Sequence, residues 1–424
     1  MIYIPLLLMF VFLVCGFPVF LSMAVAGGIG LVVMGGVDTL FGVLGTTAFT
    51  SVAHYELLSV PLFILMANFL TSGNLTQDLF NTMQKWLGRL PGGLAIATVV
   101  AGAGLGALCG TSSAAAATLA GSAVPEMKKH GYSSELSLGV VSISGTLSIM
   151  IPPSGTLVIF GLISGYSITD LFRAGILPGI LTALVYCAVI VGWSLRNPNA
   201  APRLKEKVPF SEKLQSLKDI WAVILLLIII LASIFSGWFT ITEASGIAAL
   251  GAFVIALFMR RLTFEKIFLA LKGTLKTTAM IFTIVIGAMV FGYYLTLTQM
   301  TTKLVTFISS LPVSGEVIML ILVLLYALLG FFMDQVAILY LTLPLCIPIV
   351  EALDLNMFWF AVLIVSAAAT GLVTPPVGLT CYVVSATTGE PLEKTFSGVA
   401  PFIVAEFGVL LLLFLFPWFS TALL

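Results

Sequence analysis

Residues 148–158 read SIMIPPSGTLV, two adjacent prolines set in a run apolar enough to lie inside a bilayer, and residues 371–381 read GLVTPPVGLTC. Proline has no backbone N–H and disfavours helix at the residue before it, so each pair must interrupt a helix and strip carbonyl oxygens of their ladder partners. In hydrocarbon each such oxygen costs several kcal/mol. A break made twice at one displacement serves a purpose. A bound cation satisfies free carbonyls, and Na⁺ suits a mixture of carbonyl and hydroxyl ligands.

Other landmarks repeat around these two. Pro125 and Pro348 share the displacement of the proline pairs, while Gly16–Phe17 with Gly237–Trp238, and Leu90–Pro91 with Leu311–Pro312, recur at a displacement two residues shorter. The chain has 424 residues, 60% hydrophobic and only 8% charged, against roughly 25% charged in soluble domains. This composition describes a polytopic, all-α membrane protein. The opening MIYIPLLLMFVFLVCGF lacks the basic region of a signal peptide and reads as a retained first span. A net charge of zero gives no electrostatic case for nucleic acid. Five cysteines lie in apolar segments with no CxxC spacing, and there is no HExxH, which argues against a disulfide framework, a zinc site and an enzyme built on either. The glycines of GAGLGALCG (102–110) suit close helix contact rather than a dinucleotide fold.

With about 20 apolar residues per span, crossings fall at about 2–16, 18–36, 47–71, 135–165 and 172–195, then 219–236, 239–259, 274–298, 357–389 and 397–421. Segments 94–124 and 317–351 are apolar but interrupted by CGTSSAA (109–115) and MDQVA (333–337). Their arms suit re-entrant hairpins, whose irregular tips are tolerated only where protein or water covers them. Residues 1–195 thus form a first repeat, 196–218 a cytoplasmic linker, and 219–424 a second repeat. Placing both termini in the periplasm puts every Lys and Arg except Arg173 and Lys303 on the cytoplasmic side, as the positive-inside rule requires. Five crossings per half invert the second half, and inverted repeats with discontinuous helices go with secondary transport through a midplane site.

The hairpin tips carry ligand types that match the breaks: Gly110, Thr111, Ser112 and Ser113 in the first, Gly330, Met333 and Asp334 in the second, facing Ala369, Gly371 and Thr374. Two related Na⁺ sites follow if each tip meets its own broken helix, with Ser148 to Ser154 supplying the first. The half-helices after the breaks turn positive dipole ends to the midplane, where an anion could meet Ser154, Gly155, Thr156, Pro376, Gly378 and Thr380, with Ser113 and Gln335 from the tips. Asp334 is either a site carboxylate or a helix cap. Glu243 reads as a cap, and Glu406 as a group that could meet a partner chain.

CGTSSAAAATLAGSAVPEMKKHGYS (109–133), SGTLSIMIPPSGTLVIFG (144–161), TITEASG (240–246) and LVTPPVGL (372–379) together resemble the large membrane subunit of the tripartite ATP-independent periplasmic (TRAP) transporters. The resemblance implies an elevator-type, Na⁺-driven importer of organic anions in the bacterial inner membrane. It implies two partners, a small four-helix membrane subunit and a periplasmic substrate-binding protein. Carried over by position, it adds Gly145 and Ile151 to Gly110, Thr111, Ser112 and Ser148 in one Na⁺ site, and places Gly330, Asp334, Ala369, Gly371 and Thr374 in the other. C4-dicarboxylate, sialic acid and small sulfonates all stay open as substrates. The alternatives are a Na⁺/divalent-anion symporter that needs no binding protein, an intramembrane hydrolase, for which paired catalytic groups are lacking, and a channel, for which no ring of charges is visible.

Overall fold

A computed structural model describes residues 3–109, 111–203 and 208–424. Among the described residues there is no strand, and nine helical stretches are long and apolar enough to cross a membrane. The first half runs α1 (Ile4–Val14), α2 (Val19–Thr50), a 3-10 turn (Tyr55–Leu58), α3 (Ser59–Ser72) and α4 (Leu75–Leu87). It continues through a hairpin of α5 (Gly93–Cys109) and α6 (Ser112–Lys129), a broken helix of α7 (Ser134–Met150) and α8 (Gly155–Ser164), and α9 (Ile168–Arg196). The second half repeats this order as α10 (Phe210–Phe235), α11 (Ile241–Phe258), α12 (Phe264–Leu297) and α13 (Met300–Ser309). Its hairpin is α14 (Gly315–Gly330) with α15 (Gln335–Ala352), its broken helix α16 (Met357–Val373) with α17 (Leu379–Thr388), and α18 (Leu392–Leu415) closes it.

Two groups of helices emerge from the packing. In one, α2 lies along α12, α3 along α11 and α12, and α4 against α10. In the other, the hairpins and broken helices pack together with α9 and α18, and they meet the first group where α5 touches α3 and α4 and where α15 touches α12 and α13. Small residues set the hairpin contacts. A Cβ at Gly102 would stand 2.7 Å from Ser144 Cβ, and one at Gly106 would stand 2.5 Å from Ser148 Cα, so α5 docks backbone-close on α7. Between α14 and α16 the approach is similar, because a Cβ at Gly371 would stand 2.5 Å from Gly330 Cα.

Some boundaries differ from the sequence reading. The third crossing, placed at 47–71, is the stretch Tyr55–Ser72, because Gly36 (φ 79°) turns the chain inside α2 and residues 37–50 form a separate helical arm. Apolarity alone does not reveal such a turn. Helices α4 and α13 were not foreseen: Leu75, Leu79 and Phe80 of α4 are buried while Asn81 is exposed, an amphipathic pattern too polar to read as a crossing. Pro125 and Pro348 lie in the last turns of α6 and α15, at matching places in the two hairpins. Thr240 and Glu243 form a reciprocal capping box at the start of α11, the role read for Glu243.

Lys128 at the end of α6 pairs with Glu390 in the loop before α18, and Lys394 joins it at 3.4 Å. The hydrogen bond from Lys128 holds the Glu390 carboxyl below its ordinary range. The contribution of this pair is therefore present above the ordinary carboxylate pKa and is lost as pH falls through the lowered value.

The Gly330–Gly371 contact leaves no room for a methyl group, whereas a Cβ at Gly121 would meet nothing within 4 Å. Overpacking of a tight contact costs about 1–3 kcal/mol. Gly371→Ala is expected to lower the melting temperature of the detergent-solubilised protein clearly, and Gly121→Ala to leave it unchanged. Equal effects of the two would refute the contact.

Candidate functional site

At the first break the carbonyls of Ser148 and Ile149 would find their ladder donors at Pro152 and Pro153, which carry no N–H. The Ser154 hydroxyl donates to the Ile149 carbonyl and accepts from Leu157 N–H at 3.3 Å, so one side chain covers a stripped carbonyl and caps α8. Ser148, fully buried, donates its hydroxyl to the Gly145 carbonyl at 2.7 Å. A Cβ at Gly145 would stand 2.8 Å from the Ser112 carbonyl oxygen. The start of α6 and the end of α7 therefore bring Ser112, Gly145 and Ser148 to one junction, with Thr111 extended just before it. Ile151 ends α7 in an extended conformation, its side chain against Gly179. Gly110 lies outside the described residues.

The second break is built alike, and the Pro152–Pro153 and Pro375–Pro376 bonds are both cis. Here the carbonyls facing proline are those of Gly371 and Leu372. Thr374 N–H reaches the Gly371 carbonyl at 3.0 Å, and the Thr374 hydroxyl donates to Thr370 at 2.6 Å. A Cβ at Gly330 would stand 2.6 Å from the Ala368 carbonyl oxygen, so the end of α14 packs on that turn of α16. Ala369 sits about 100° further round the helix and lines another cavity with Glu406. Asp334 caps α15, its carboxylate accepting Val336 N–H at 3.2 Å, and Met333 is buried beside it.

The two tips meet in one narrow cavity of about 30 Å³. Thr111, Ser112, Gly155, Thr156, Asp334 and Gln335 form its polar wall, and Val60, Phe63, Ile64 and Ile281 from α3 and α12 form much of the apolar one. Three helices begin at this wall: α6 at Ser112, α8 at Gly155 and α15 at Gln335. Each helix start presents unpaired N–H groups and the positive end of a dipole. Gln335 ties α15 to both broken helices, accepting the Thr156 hydroxyl of α8 at 3.0 Å and donating to the Val365 carbonyl of α16 at 3.3 Å. No Lys, Arg or His is among the lining residues, and Asp334 is the one carboxylate.

Of the residues read as substrate contacts, Gly155, Thr156 and Gln335 line this cavity, whereas Ser113, Ser154, Pro376, Gly378 and Thr380 do not. Ser154 is spent on the break itself. Pro376 is exposed, Gly378 (φ 55°) packs under the Phe396 ring, and the Thr380 hydroxyl is buried with no hydrogen-bond partner among the described residues. The apolar wall was missed in the sequence because Val60, Phe63 and Ile64 share the spacing of any lipid-facing stripe. Glu406 does not wait for a partner chain: it is buried, and Tyr186 donates to it at 2.5 Å.

Removing the Ser154 hydroxyl leaves a stripped carbonyl and an uncapped helix start in a buried place, worth about 1–3 kcal/mol. Ser154→Ala is expected to lower the melting temperature, while Val377→Ser, at the matching exposed position of the second break, leaves it within error. A neutral Ser154→Ala would show that the hydroxyl does not hold the break.

Comparison with known proteins gives concordant findings. The family model described as "Tripartite ATP-independent periplasmic transporter, DctM component" matches residues 6–419. The chain is 33% identical over 383 residues to the C4-dicarboxylate TRAP transporter large permease protein DctM of Pseudomonas aeruginosa, covering 90% of this chain and 88% of that one. It is 30% identical to the sialic acid TRAP transporter large permease protein SiaM of Vibrio cholerae (87% and 86% covered). It is also 30% identical to the isethionate TRAP transporter permease protein DctMQ of Oleidesulfovibrio alaskensis (95% and 63%). Among solved structures, the Alcanivorax borkumensis YdaH transporter has the same fold, with a TM-score of 0.67 over 98% of both chains at 14% identity.

Proposed function

The chain belongs to the TRAP transporters as their DctM component, a family of membrane permeases, and from that premise we propose that it imports a small organic anion together with Na⁺. The observation that carries this reading is the charge inventory of the central cavity: three helix N-termini, hydroxyls and an amide, one carboxylate and no basic side chain. Helix N-termini favour an anionic group, yet a second negative charge beside Asp334 is repelled in a site of low dielectric. A cation at the tips removes that conflict. An anion that binds well only when cations are present is an anion whose movement is coupled to them.

The donor sets at the two tip-and-break junctions suit Na⁺. Thr111, Ser112, Gly145, Ser148 and Ile151 would serve the first site, with Gly110 completing the tip by its sequence position. Gly330, Met333, Asp334, Ala369, Gly371 and Thr374 would serve the second. Carboxylate, sulfonate and sialic-acid substrates of the relatives share the acidic group that the N-termini would hold. The hairpins, broken helices, α9 and α18 would move as a unit along the apolar face of α3 and α12, which offers no polar group for the site to grip. A periplasmic binding protein would deliver the substrate and a small membrane subunit would complete the assembly.

Purified chain with its small subunit, reconstituted in liposomes, should accumulate radiolabelled substrate only with an inward Na⁺ gradient and loaded binding protein. Ser112→Ala and Thr374→Ala are each expected to raise the Na⁺ concentration for half-maximal uptake severalfold while the protein stays folded. Uptake with Na⁺ but without binding protein would favour a self-sufficient symporter instead. Uptake indifferent to Na⁺ would refute the coupling.

A further inference from the structure

Among the described residues, Glu406 is the one acidic or basic side chain that the fold fully buries, at 4% exposure, and the transport cavity does not use it. It lies near the middle of α18 and lines a second, smaller cavity of about 10 Å³, which leaves room for one water molecule at most. Thr146 and Met150 of α7, Thr182 of α9, and Ser366 and Ala369 of α16 complete the wall. The cavity therefore joins both broken helices behind the transport site.

From Glu406 a line of oxygens leads into α7. Tyr186 Oη lies 2.5 Å from the carboxylate, Thr146 Oγ1 lies 3.1 Å from Tyr186 Oη, and the Ile143 carbonyl lies 2.7 Å from Thr146 Oγ1. Tyr186 donates to the carboxyl, and Thr146 faces both the Tyr186 hydroxyl and the Ile143 carbonyl. Among the described residues the Glu406 carboxyl is thus held by one neutral hydroxyl, with no cation and no second donor beside it.

The wider charge environment agrees. Of the elements packed on α18, α9 contributes Tyr186, α7 and α16 line the cavity with no titratable side chain, and Cys381 of α17 is turned to the Val373 carbonyl at 3.4 Å. No Lys, Arg or His lines the cavity. An ionised Glu406 would be an unpaired charge in the membrane core, which costs several kcal/mol. We propose that Glu406, with Tyr186 and Thr146, forms a proton-binding site at the junction of the two broken helices, occupied in the conformation described here. Its ligand is a single proton, and Tyr186 and Thr146 are positioning residues that orient the carboxyl.

Infrared difference spectroscopy on the full chain in lipid nanodiscs at neutral pH tests this without substrate or Na⁺, so its outcome is independent of the transport reading. The wild type is expected to show a protonated-carboxyl C=O stretch that is lost in Glu406→Gln and shifted in Tyr186→Phe. Loss of an ionised-carboxylate band in Glu406→Gln, or no carboxyl difference between the two proteins, overturns the proposal. If Glu406→Gln does not fold, Tyr186→Phe decides alone: a shifted protonated-carboxyl band supports the site and an unshifted spectrum overturns it.

Discussion

A backbone carbonyl in a membrane interior must find a donor or a cation, and at two places this chain removes the donor by placing proline four residues ahead. The rest of the molecule is arranged around those oxygens. Ser154 covers the Ile149 carbonyl, Thr374 N–H covers Gly371, and the hairpin tips close over the junctions through glycines that let backbones touch. Irregular backbone at such a depth is tolerable only inside protein or beside water. This is why each break is met by a hairpin, and why each half of the chain needs one.

The two halves do not use their breaks identically. Each first half-helix packs on its own hairpin, α7 on α5 and α6 and α16 on α14, while each second half-helix packs on the opposite one, α8 on α15 and α17 on α6. The halves are thereby interlocked, and a shift of one tip must be felt by the other. Of the two half-helices that follow a break, α8 starts at the central cavity and α17 does not, and Pro375, Pro376 and Val377 are exposed. The Thr156–Gln335 bond, joining the first broken helix to the second tip, is the polar sign of that interlock. The cavity against which it sits is apolar on the α3 and α12 side, where Val60, Phe63, Ile64 and Ile281 line it.

Much of this was legible in the sequence for physical reasons. Paired prolines admit few readings in an apolar run, and their repetition at one displacement marks the repeat, so the broken helices follow from residues 152, 153, 375 and 376, and the hairpins from the interruptions at 109–115 and 333–337. Glu243 three residues after Thr240 is a local capping pattern. What escaped depends on facing rather than on spacing. Ala368 and Ala369 differ by one step round a helix, and no sequence pattern says which carbonyl meets Gly330. Phe63 reads the same whether it faces lipid or substrate. The Glu406–Tyr186–Thr146 line joins residues from three helices far apart in the chain, and nothing local announces it. The turn at Gly36 was hidden by apolar residues on both sides.

The claim that matters most is that the stripped carbonyls and hairpin tips hold cations. Crystals of the transporter grown with Tl⁺ in place of Na⁺ would show this in an anomalous difference map. Peaks at both junctions, one among Ser112, Gly145 and Ser148 and one among Gly330, Asp334 and Gly371, are the result predicted. Bound Tl⁺ elsewhere with neither junction occupied would contradict the account.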